Sequence, residues 1–350
     1  MLALSAHPLG LNVAVLATGP DEPAAQVAGR AEIGALTDRA ALSRFLAPLN
    51  YVTFESEFID TALLESVLPS KVQAFPALSV LETIQDRLTQ KQLLDRFKIP
   101  TSPWMEVSTQ ADLQNAFARF QEGFVLKQRR FGYDGYGTFV MRAKEDAPAD
   151  ILSKSRHGFI AEAFVPFKRE LAVTFVRSTR REFLTLPMVE SVQRDSRCFS
   201  VQGPVRHGKL NALKIAFKKL MSKLNYHGLL AVELFETPKG LLVNELAPRV
   251  HNSAHYSQDG LATSQFEYHM RAGLGLPLPK VELTKPGFAM VNLLGEGGTV
   301  KLSYSAAGHL HWYGKSENRP GRKLGHINVT DASGKLALKR ALKWRKEFKL

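Results

Sequence analysis

The chain is organised around one stretch, Asn244-Glu245-Leu246-Ala247-Pro248-Arg249-Val250-His251-Asn252-Ser253-Ala254-His255. An apolar run that carries Glu233 precedes this stretch. The turn signal Thr237-Pro238-Lys239-Gly240 lies between the two. Two apolar runs joined by such a turn are typical of a β-hairpin. The sequence therefore predicts a hairpin that places Glu233 beside Glu245.

The carboxylates of this hairpin predict a metal site. Two adjacent carboxylates repel each other, which raises their pKa values unless a cation lies between them. Asn244 adds a neutral amide oxygen, and hard oxygen ligands suit Mg²⁺ that also binds phosphate oxygens. We therefore predict Glu233, Glu245 and Asn244 as ligands of Mg²⁺. The polar side chains that follow would be costly to bury without a polar ligand, namely Arg249, His251, Asn252, Ser253 and His255.

Length and composition are those of a globular α/β protein. The chain has 350 residues, 45% of them hydrophobic, with 25 Gly and 18 Pro, enough for two or three domains. Cys198 is the single cysteine, so an internal disulfide is excluded, and we expect a reducing, cytoplasmic location. We expect no signal peptide, because the apolar start lacks a basic segment. No apolar run approaches the roughly 18 residues of a membrane span.

The formal net charge of +13 is unevenly distributed along the chain. Residues 335–350 contain seven Lys or Arg and one Glu, which is nearly half of the excess. Leu338, Ala341 and Leu342 fall on one side of a helix in this segment, which indicates a solvated amphipathic helix. A nucleic-acid or membrane contact is the alternative. We expect small-molecule partners, with no nucleic acid and no membrane.

The N-terminal third indicates an open parallel sheet. Strand candidates at 11–16 and 51–55 flank a helical pattern at 36–46. Ligands bind at the carboxyl ends of the strands in such sheets, which makes Glu55 a binding candidate; a solvated loop acid is the alternative. The chain begins inside a helical pattern, so we expect this domain to lack its first strand and glycine-rich turn.

A glycine-rich loop follows the next strand candidate. The strand at 123–127 ends on Lys127, Gly132, Gly135 and Gly137 follow, and a second strand covers 138–142. A lysine beside such a loop can hold phosphates while backbone N–H groups cover them, although this is not a Walker A motif.

Further along, a strand at 159–165 carries Glu162, and residues 168–175 are its predicted antiparallel partner. Glu162 could accept from an adenine amino group or a ribose hydroxyl, and a surface acid is the alternative. His309, His311 and His326 lack the spacing of a closed zinc site, so we expect no zinc.

Taken together, these segments resemble the ATP-grasp superfamily, and within it the 5-(carboxyamino)imidazole ribonucleotide synthases of purine biosynthesis. The likeness covers almost the whole chain in order. It rests on seven segments: 86–91, 132–137, 164–171, 244–255, 264–267, 311–313 and 319–326. The stretch 244–255 and the run Arg319-Pro320-Gly321-Arg322-Lys323 are the most specific, because other ATP-grasp enzymes do not share them.

The resemblance implies an ATP-dependent C–N ligase. Such an enzyme uses ATP, Mg²⁺ and bicarbonate to convert 5-aminoimidazole ribonucleotide to its N-carboxy form through carboxyphosphate, and the family is commonly dimeric. The electrophile that is attacked is either carboxyphosphate or the CO₂ released from it. One alternative is an ATP-grasp ligase that uses formate or another acid. A second is a nucleotide-binding protein without turnover.

The resemblance also implies roles for single residues. It implies that ATP is bound by Arg87, Lys127, Gly132, Tyr133, Asp134, Gly135, Tyr136, Gly137, Thr138, Glu162, Ala163, Phe164, Val165, Glu170, Gln193, Asn244 and Glu245. It implies that bicarbonate and 5-aminoimidazole ribonucleotide are bound by Glu55, Tyr133, Arg249, His251, Asn252, Ser253, Lys315 and Arg322. Asp134, Arg249 and His251 are implied to be catalytic.

Two positions of the chain differ from the family pattern. Gln193 stands where the family commonly has histidine, and Phe131-Gly132 replaces paired glycines. We expect an α/β protein with α+β character in its centre. Its predicted parts are an N-terminal α/β domain (1–90), an ATP-grasp domain (91–285, with a lid at about 98–175) and a small β-rich C-terminal domain (286–350).

Overall fold

The structure is a computed structural model and describes residues 1–132 and 135–350. The described helices are α1 (Leu2–Ala6), α2 (Arg39–Leu46), α3 (Thr61–Val67), α4 (Leu78–Gln85), α5 (Arg87–Arg96), α6 (Gln110–Arg119), α7 (Leu210–Lys223), α8 (Ser257–Gly260), α9 (Gln265–Leu274) and α10 (Gly334–Arg345). Short 3-10 helices cover His7–Leu9, Lys144–Asp146, Ile151–Lys154 and Asn252–Ala254. Among these residues, no helix is long and apolar enough to cross a membrane.

The described strands follow in chain order. They are β1 (Ala14–Ala17), β2 (Arg30–Ile33), β3 (Tyr51–Val52), β4 (Gln73–Ala74), β5 (Trp104–Val107), β6 (Phe124–Gln128), β7 (Thr138–Met141), β8 (Phe159–Ala163), β9 (Arg169–Arg177), β10 (Phe183–Thr185), β11 (Val189–Arg194), β12 (Arg197–Gly203), β13 (Gly228–Thr237), β14 (Gly240–Ala247), β15 (Gly287–Leu294), β16 (His309–Trp312) and β17 (Lys323–Asp331).

The N-terminal segment contains parallel strands, as predicted, but in two separate pairs. β1 pairs with β2 and β3 with β4. The side chains of Asp38 and Asp60 accept hydrogen bonds from backbone N–H groups at the starts of α2 and α3, which fixes where these helices begin. The apolar faces of α2, α3 and α4 pack on the strands around Leu46 and Leu81. β3 ends at Val52, so residues 53–60 form a loop at the carboxyl end of that strand.

A four-stranded antiparallel sheet in the order β5-β8-β6-β7 forms the next layer and packs on α6. The predicted pairing of the strand at 159–165 with residues 168–175 is wrong. β8 pairs with β5 and β6, whereas β9 belongs to the large sheet. Residues 164–168, which include Pro166, are not in a strand and carry the chain from one sheet to the other. Adjacency in the sequence gave no sign of this change of sheet.

The large sheet has nine described strands in the order β14-β13-β9-β11-β12-β15-β17-β16, with β10 paired to β9. β15, β16 and β17 therefore extend the central sheet rather than forming a sheet of their own. α7 packs in one core cluster and α9 in another. The predicted amphipathic terminal helix is confirmed as α10, which buries Ala337, Ala341 and Trp344 against the end of this sheet.

Candidate functional site

The predicted hairpin is confirmed, and a β-bulge within it builds the site. β13 and β14 pair antiparallel with Glu233 opposite Glu245 and Leu234 opposite Val243, so Asn244 is the extra residue. A bulge sets two residues of one strand against one residue of the other. Asn244 Nδ2 accordingly lies 3.4 Å from Glu233 Oε2. Three oxygen-bearing side chains thus meet at one point of the large sheet.

The pKa of Glu233 is raised in this arrangement. Burial raises the pKa of Glu233 to about 7, and the charges of Glu245 and Glu170 contribute to the rise. Within residues 1–132 and 135–350, no group of three or more His, Cys, Asp or Glu side chains has the arrangement of a metal site. Two crowded carboxylates and an amide oxygen suit a hard divalent cation whose other ligands come from a bound phosphate.

Arg87 on α5 and Lys127 on β6 bring positive charge to Glu245 and Asn244. Arg87 Nη2 lies 3.0 Å from Glu245 Oε1. The same guanidinium donates to the carbonyl oxygens of Gln128 (2.9 Å) and Gly132 (3.2 Å), so it also holds the start of the glycine-rich loop. Lys127 Nζ, at the end of β6, lies 3.1 Å from Asn244 Oδ1. Positive charge is therefore fixed next to the position proposed for phosphate.

Glu162 forms an ion pair with Lys127 and holds its side chain in place. Its Oε1 lies 2.9 Å from Lys127 Nζ and its Oε2 lies 2.7 Å from Lys91 Nζ, while Ser102 also donates to Oε2. Burial lowers the pKa of Lys91, and the charge of Glu162 opposes that effect. The pKa of Glu162 is lowered well below its ordinary value, because the two ammonium groups outweigh the effect of burial. The lysines thus occupy both oxygens of the carboxylate that the sequence assigned to adenosine.

Gly132, the first glycine of the loop, lies against the Arg87 guanidinium. A Cβ on Gly132 would lie 2.7 Å from Arg87 Nη1. Gly135 and Gly137 have φ values of +85° and +71°, which favour glycine. Tyr136 is exposed, and Thr138 begins β7. Tyr133 and Asp134, which the sequence assigned to ATP and to the second substrate, lie outside the described residues.

The predicted adenosine contacts lie where the chain changes sheets. Ala163 ends β8, and Phe164 and Val165 belong to the linking segment. Glu170, the second residue of β9, hydrogen-bonds with the side chain of Gln193 on β11. Burial raises the pKa of Glu170, and the Gln193 bond opposes that rise. Glu170 also adds to the negative charge at Glu233, so the site is continuous from β9 to the bulge.

Residues 249–253, which we call the polar run after β14, lie next to Glu233. His251 Nε2 lies 3.7 Å from Glu233 Oε1, and its Nδ1 lies 2.9 Å from Ser253 Oγ. Burial, with the charges of Arg249 and Lys323, lowers the pKa of His251 to about 3, so its imidazole is neutral near pH 7. Asn252 exchanges hydrogen bonds with Asn292 on β15.

A buried glutamine fixes the backbone of this run. Gln265 Oε1 accepts from His251 N at 2.9 Å, and Gln265 Nε2 donates to His251 O at 2.9 Å. Gln265 is fully buried at the start of α9. Both backbone polar groups of His251 are therefore held by one side chain.

The predicted ribonucleotide residues separate into two groups. Burial lowers the pKa of Lys315, and the charges of Arg322 and Lys323 lower it further, so these three cations lie near one another. Arg322 also pairs with Glu317 at 2.7 Å. Glu55 is half-exposed and accepts from Leu2 N at 3.2 Å. The structure does not place Glu55 with these cations.

Comparison with known proteins decides the family. The ATP-grasp domain model matches residues 92–266, a ribonucleotide synthetase preATP-grasp domain model matches 1–85, and a phosphoribosylaminoimidazole carboxylase C-terminal domain model matches 289–340. The N5-carboxyaminoimidazole ribonucleotide synthase of Bacillus subtilis is 40% identical over 338 residues, which span 93% of this chain and 87% of that protein. The chain belongs to the N5-carboxyaminoimidazole ribonucleotide synthase family.

Solved structures support the same assignment. The N5-carboxyaminoimidazole ribonucleotide synthetase of Thermus thermophilus superposes with a TM-score of 0.87 at 36% identity, over 98% of this chain and 94% of that one. The Aspergillus clavatus N5-carboxyaminoimidazole synthase, solved with ADP and 5-aminoimidazole ribonucleotide, superposes with a TM-score of 0.86 at 29% identity, over 99% and 95%. The resemblance found in the sequence is therefore confirmed, as is the ATP-grasp fold class.

In this member of the N5-carboxyaminoimidazole ribonucleotide synthase family, sequence reasoning missed four residues that the structure places at the site. They are Glu57, Lys91, Gln265 and Lys323. Lys91 gave a signal, because it lies one helical turn after Arg87 and shares its face of α5. Glu57 gave a weaker signal, since it is two residues from Glu55 in the same acidic loop.

Proposed function

We propose that this protein converts 5-aminoimidazole ribonucleotide to N5-carboxyaminoimidazole ribonucleotide with ATP and bicarbonate. One observation carries the proposal. The bulged hairpin joins a carboxylate pair suited to a metal-bound triphosphate to Arg249 and His251, which lie beside the same carboxylates. Family membership supplies the reaction class.

The chemistry has two steps. A bicarbonate oxygen attacks the γ-phosphorus of ATP, the bond to the β-phosphate oxygen breaks, and carboxyphosphate and ADP form. The exocyclic amine then attacks the carboxyl carbon, directly or after CO₂ has left phosphate; the carbamate forms, and inorganic phosphate and one proton are released. Carboxyphosphate reacts readily with water, so the two steps need one closed site.

For ATP, we propose that Lys127 and Arg87 contact the phosphates and that the loop 132–138 covers them. Arg87 holds Gly132 O, so phosphate binding and loop position are coupled through one guanidinium. Glu162 positions Lys127. Residues 163–165 with Glu170 and Gln193 hold the nucleoside. Mg²⁺, held by Glu233, Glu245 and Asn244, would neutralise charge on the phosphates.

For the second substrates, we propose that the polar run after β14 binds bicarbonate. The neutral His251 donates or accepts one hydrogen bond without adding charge, Arg249 supplies the cation, and Asn252 and Ser253 complete the lining. Lys315 and Arg322 bind the ribonucleotide 5′-phosphate, to which we add Lys323. Asp134 accepts from the exocyclic amine while Tyr133 contacts the ring, and Glu55 remains a ribonucleotide candidate.

Three further properties belong to this proposal. The chain divides into an N-terminal domain (1–90), an ATP-grasp domain (91–285) and a C-terminal domain (286–350). It acts as a homodimer. It is cytoplasmic, which its single cysteine supports because disulfides are rare in a reducing compartment.

A coupled assay of ADP release tests the activity. We expect ADP release that requires both bicarbonate and 5-aminoimidazole ribonucleotide, with ¹³C from labelled bicarbonate appearing in the carbamate. A response to formate in place of bicarbonate would indicate a different acid substrate. MgATP binding by calorimetry without hydrolysis under any of these conditions would make the chain a nucleotide-binding protein only.

A further inference from the structure

Glu57 and Arg249 form an ion pair between the N-terminal segment and the polar run after β14. Arg249 Nη2 lies 2.9 Å from Glu57 Oε1, and Arg249 Nε donates to Glu57 Oε2. The two residues are 192 positions apart in the sequence. Their side chains are only 14% and 21% exposed. The fork-to-fork contact therefore fixes the plane of the guanidinium as well as its position.

The remaining hydrogen-bond donors of Arg249 are limited. Its Nη1 donates to Val250 O at 3.0 Å. A guanidinium has five N–H groups, so the contacts with Glu57 and Val250 use three of them. One N–H on Nη1 and one on Nη2 have no hydrogen-bond partner among residues 1–132 and 135–350. The N–H groups of a guanidinium can donate to both oxygens of a planar carboxylate-type anion such as bicarbonate.

The charges around Arg249 show why its orientation must be held. Glu245 and Glu233 attract the Arg249 guanidinium in addition to Glu57. An Arg249 released from Glu57 would be drawn towards these two carboxylates and would compete there with a bound cation. Glu57 thus supplies a directly bonded counter-charge for Arg249, in addition to the attraction of the carboxylate pair.

Building on the proposed function, we infer that Glu57 is a positioning residue for bicarbonate. It holds one edge of the Arg249 guanidinium so that the remaining N–H groups face the substrate, and it keeps Arg249 away from Glu233 and Glu245. The N-terminal segment, which would otherwise serve only the ribonucleotide, thereby takes part in binding the other substrate.

The kinetic test compares Glu57→Gln with a matched control. Glu57→Gln keeps the shape of the side chain and removes the charge. We expect the KM for bicarbonate to rise tenfold or more while the KM for ATP changes less than twofold, with partial recovery in Glu57→Asp. Glu32→Gln, which breaks the exposed pair with Arg44 in the same segment, is expected to behave as the wild type. An unchanged KM for bicarbonate in folded Glu57→Gln would overturn the inference.

A double-mutant cycle separates positioning from simple packing. Arg249→Lys keeps the charge but lacks the fork. We expect Glu57→Gln to add less than a twofold loss of kcat/KM for bicarbonate on that background. Multiplicative losses would show that Glu57 acts independently of Arg249, and a fall in thermal stability with every KM unchanged would show a structural role only.

A readout without turnover keeps this inference distinct from the proposed function. The Arg249 ¹⁵Nε–¹H resonance, assigned by its loss in Arg249→Lys, is followed while bicarbonate is added to the MgADP-bound protein. We expect a saturable shift in the wild type and none in Glu57→Gln. A wild-type shift without ADP release would refute the proposed activity alone, whereas equal shifts in both proteins would refute the role of Glu57.

Discussion

Glu233 and Glu245 face each other across β13 and β14, beside the bulge at Asn244. Burial raises the pKa of Glu233 to about 7, and the charge of Glu245 adds to the rise. A protein keeps such an arrangement at a cost in stability, and the cost disappears when a proton or a cation is bound.

The first prediction concerns the pH dependence of stability. The pKa of Glu233 is raised from 4.5 to about 7 in the folded state, so the folded protein binds the extra proton between these values. Stability without metal should therefore fall as the pH rises from about 5 to about 7, by at most about 3 kcal/mol. Thermal unfolding followed against pH checks this.

The controls for this prediction are Glu233→Gln and Mg²⁺. Glu233→Gln should flatten the slope, and 10 mM Mg²⁺, a concentration of about the order that weak sites require, should reduce it in the wild type by stabilising the ionised form. Parallel curves for the wild type and Glu233→Gln would contradict the assignment.

The second prediction concerns the buried pair Lys91 and Glu162. Lys91→Met should destabilise the protein by about 3 kcal/mol, because Glu162 loses one of two buried partners. Urea unfolding measures the change, with the exposed Lys71→Met as control. The pKa of Glu162 is lowered in the folded state, so this stabilisation is present above about pH 4.5 and is lost as the pH falls. A difference that persists unchanged below pH 4 would contradict the ion-pair explanation.

The third prediction concerns the glycine-rich loop. Gly137 has φ +71°, and an added Cβ would lie 2.6 Å from Gln128 Oε1. Gly137→Ala should therefore strain the loop by about 1–2 kcal/mol and weaken ADP binding roughly tenfold in calorimetry. Gly208→Ala is the matched control, because a Cβ there would meet no atom within 4 Å. Equal ADP affinities in the two variants would show that the loop does not cover the nucleotide.

The fourth prediction concerns Asp134, which lies outside the described residues. Asp134→Asn should leave ATP affinity within about twofold and lower carboxylation about a hundredfold, because an amide is a poor proton acceptor. Calorimetry with ADP and the ADP-release assay measure the two effects separately. Equal losses in both would assign Asp134 to phosphate binding instead.

Much of the site could be predicted locally. The hairpin of β13 and β14 and the lysine before the glycine-rich loop follow from patterns within about ten residues. Turn residues and side-chain periodicity act over that distance. The residue types then indicate phosphate and metal chemistry.

Other features could not be predicted from local patterns. Sequence reasoning chose Glu55 over Glu57 in one acidic loop, yet Glu57 is the residue that meets Arg249. It paired the strand at Glu162 with its neighbour in the chain, whereas the neighbour belongs to another sheet. Both outcomes depend on segments that approach only when the chain has folded.

The sequence by itself therefore determined several of the helices and strands, the family and the chemical character of the site. Only the tertiary structure decided which charges are partners. Lys91 is buried against Glu162, 71 positions away, and Arg249 against Glu57, 192 positions away. The reason is physical: backbone and turn preferences act between neighbours, whereas the energy of an ion pair depends on burial and distance, which the packing of separate segments sets.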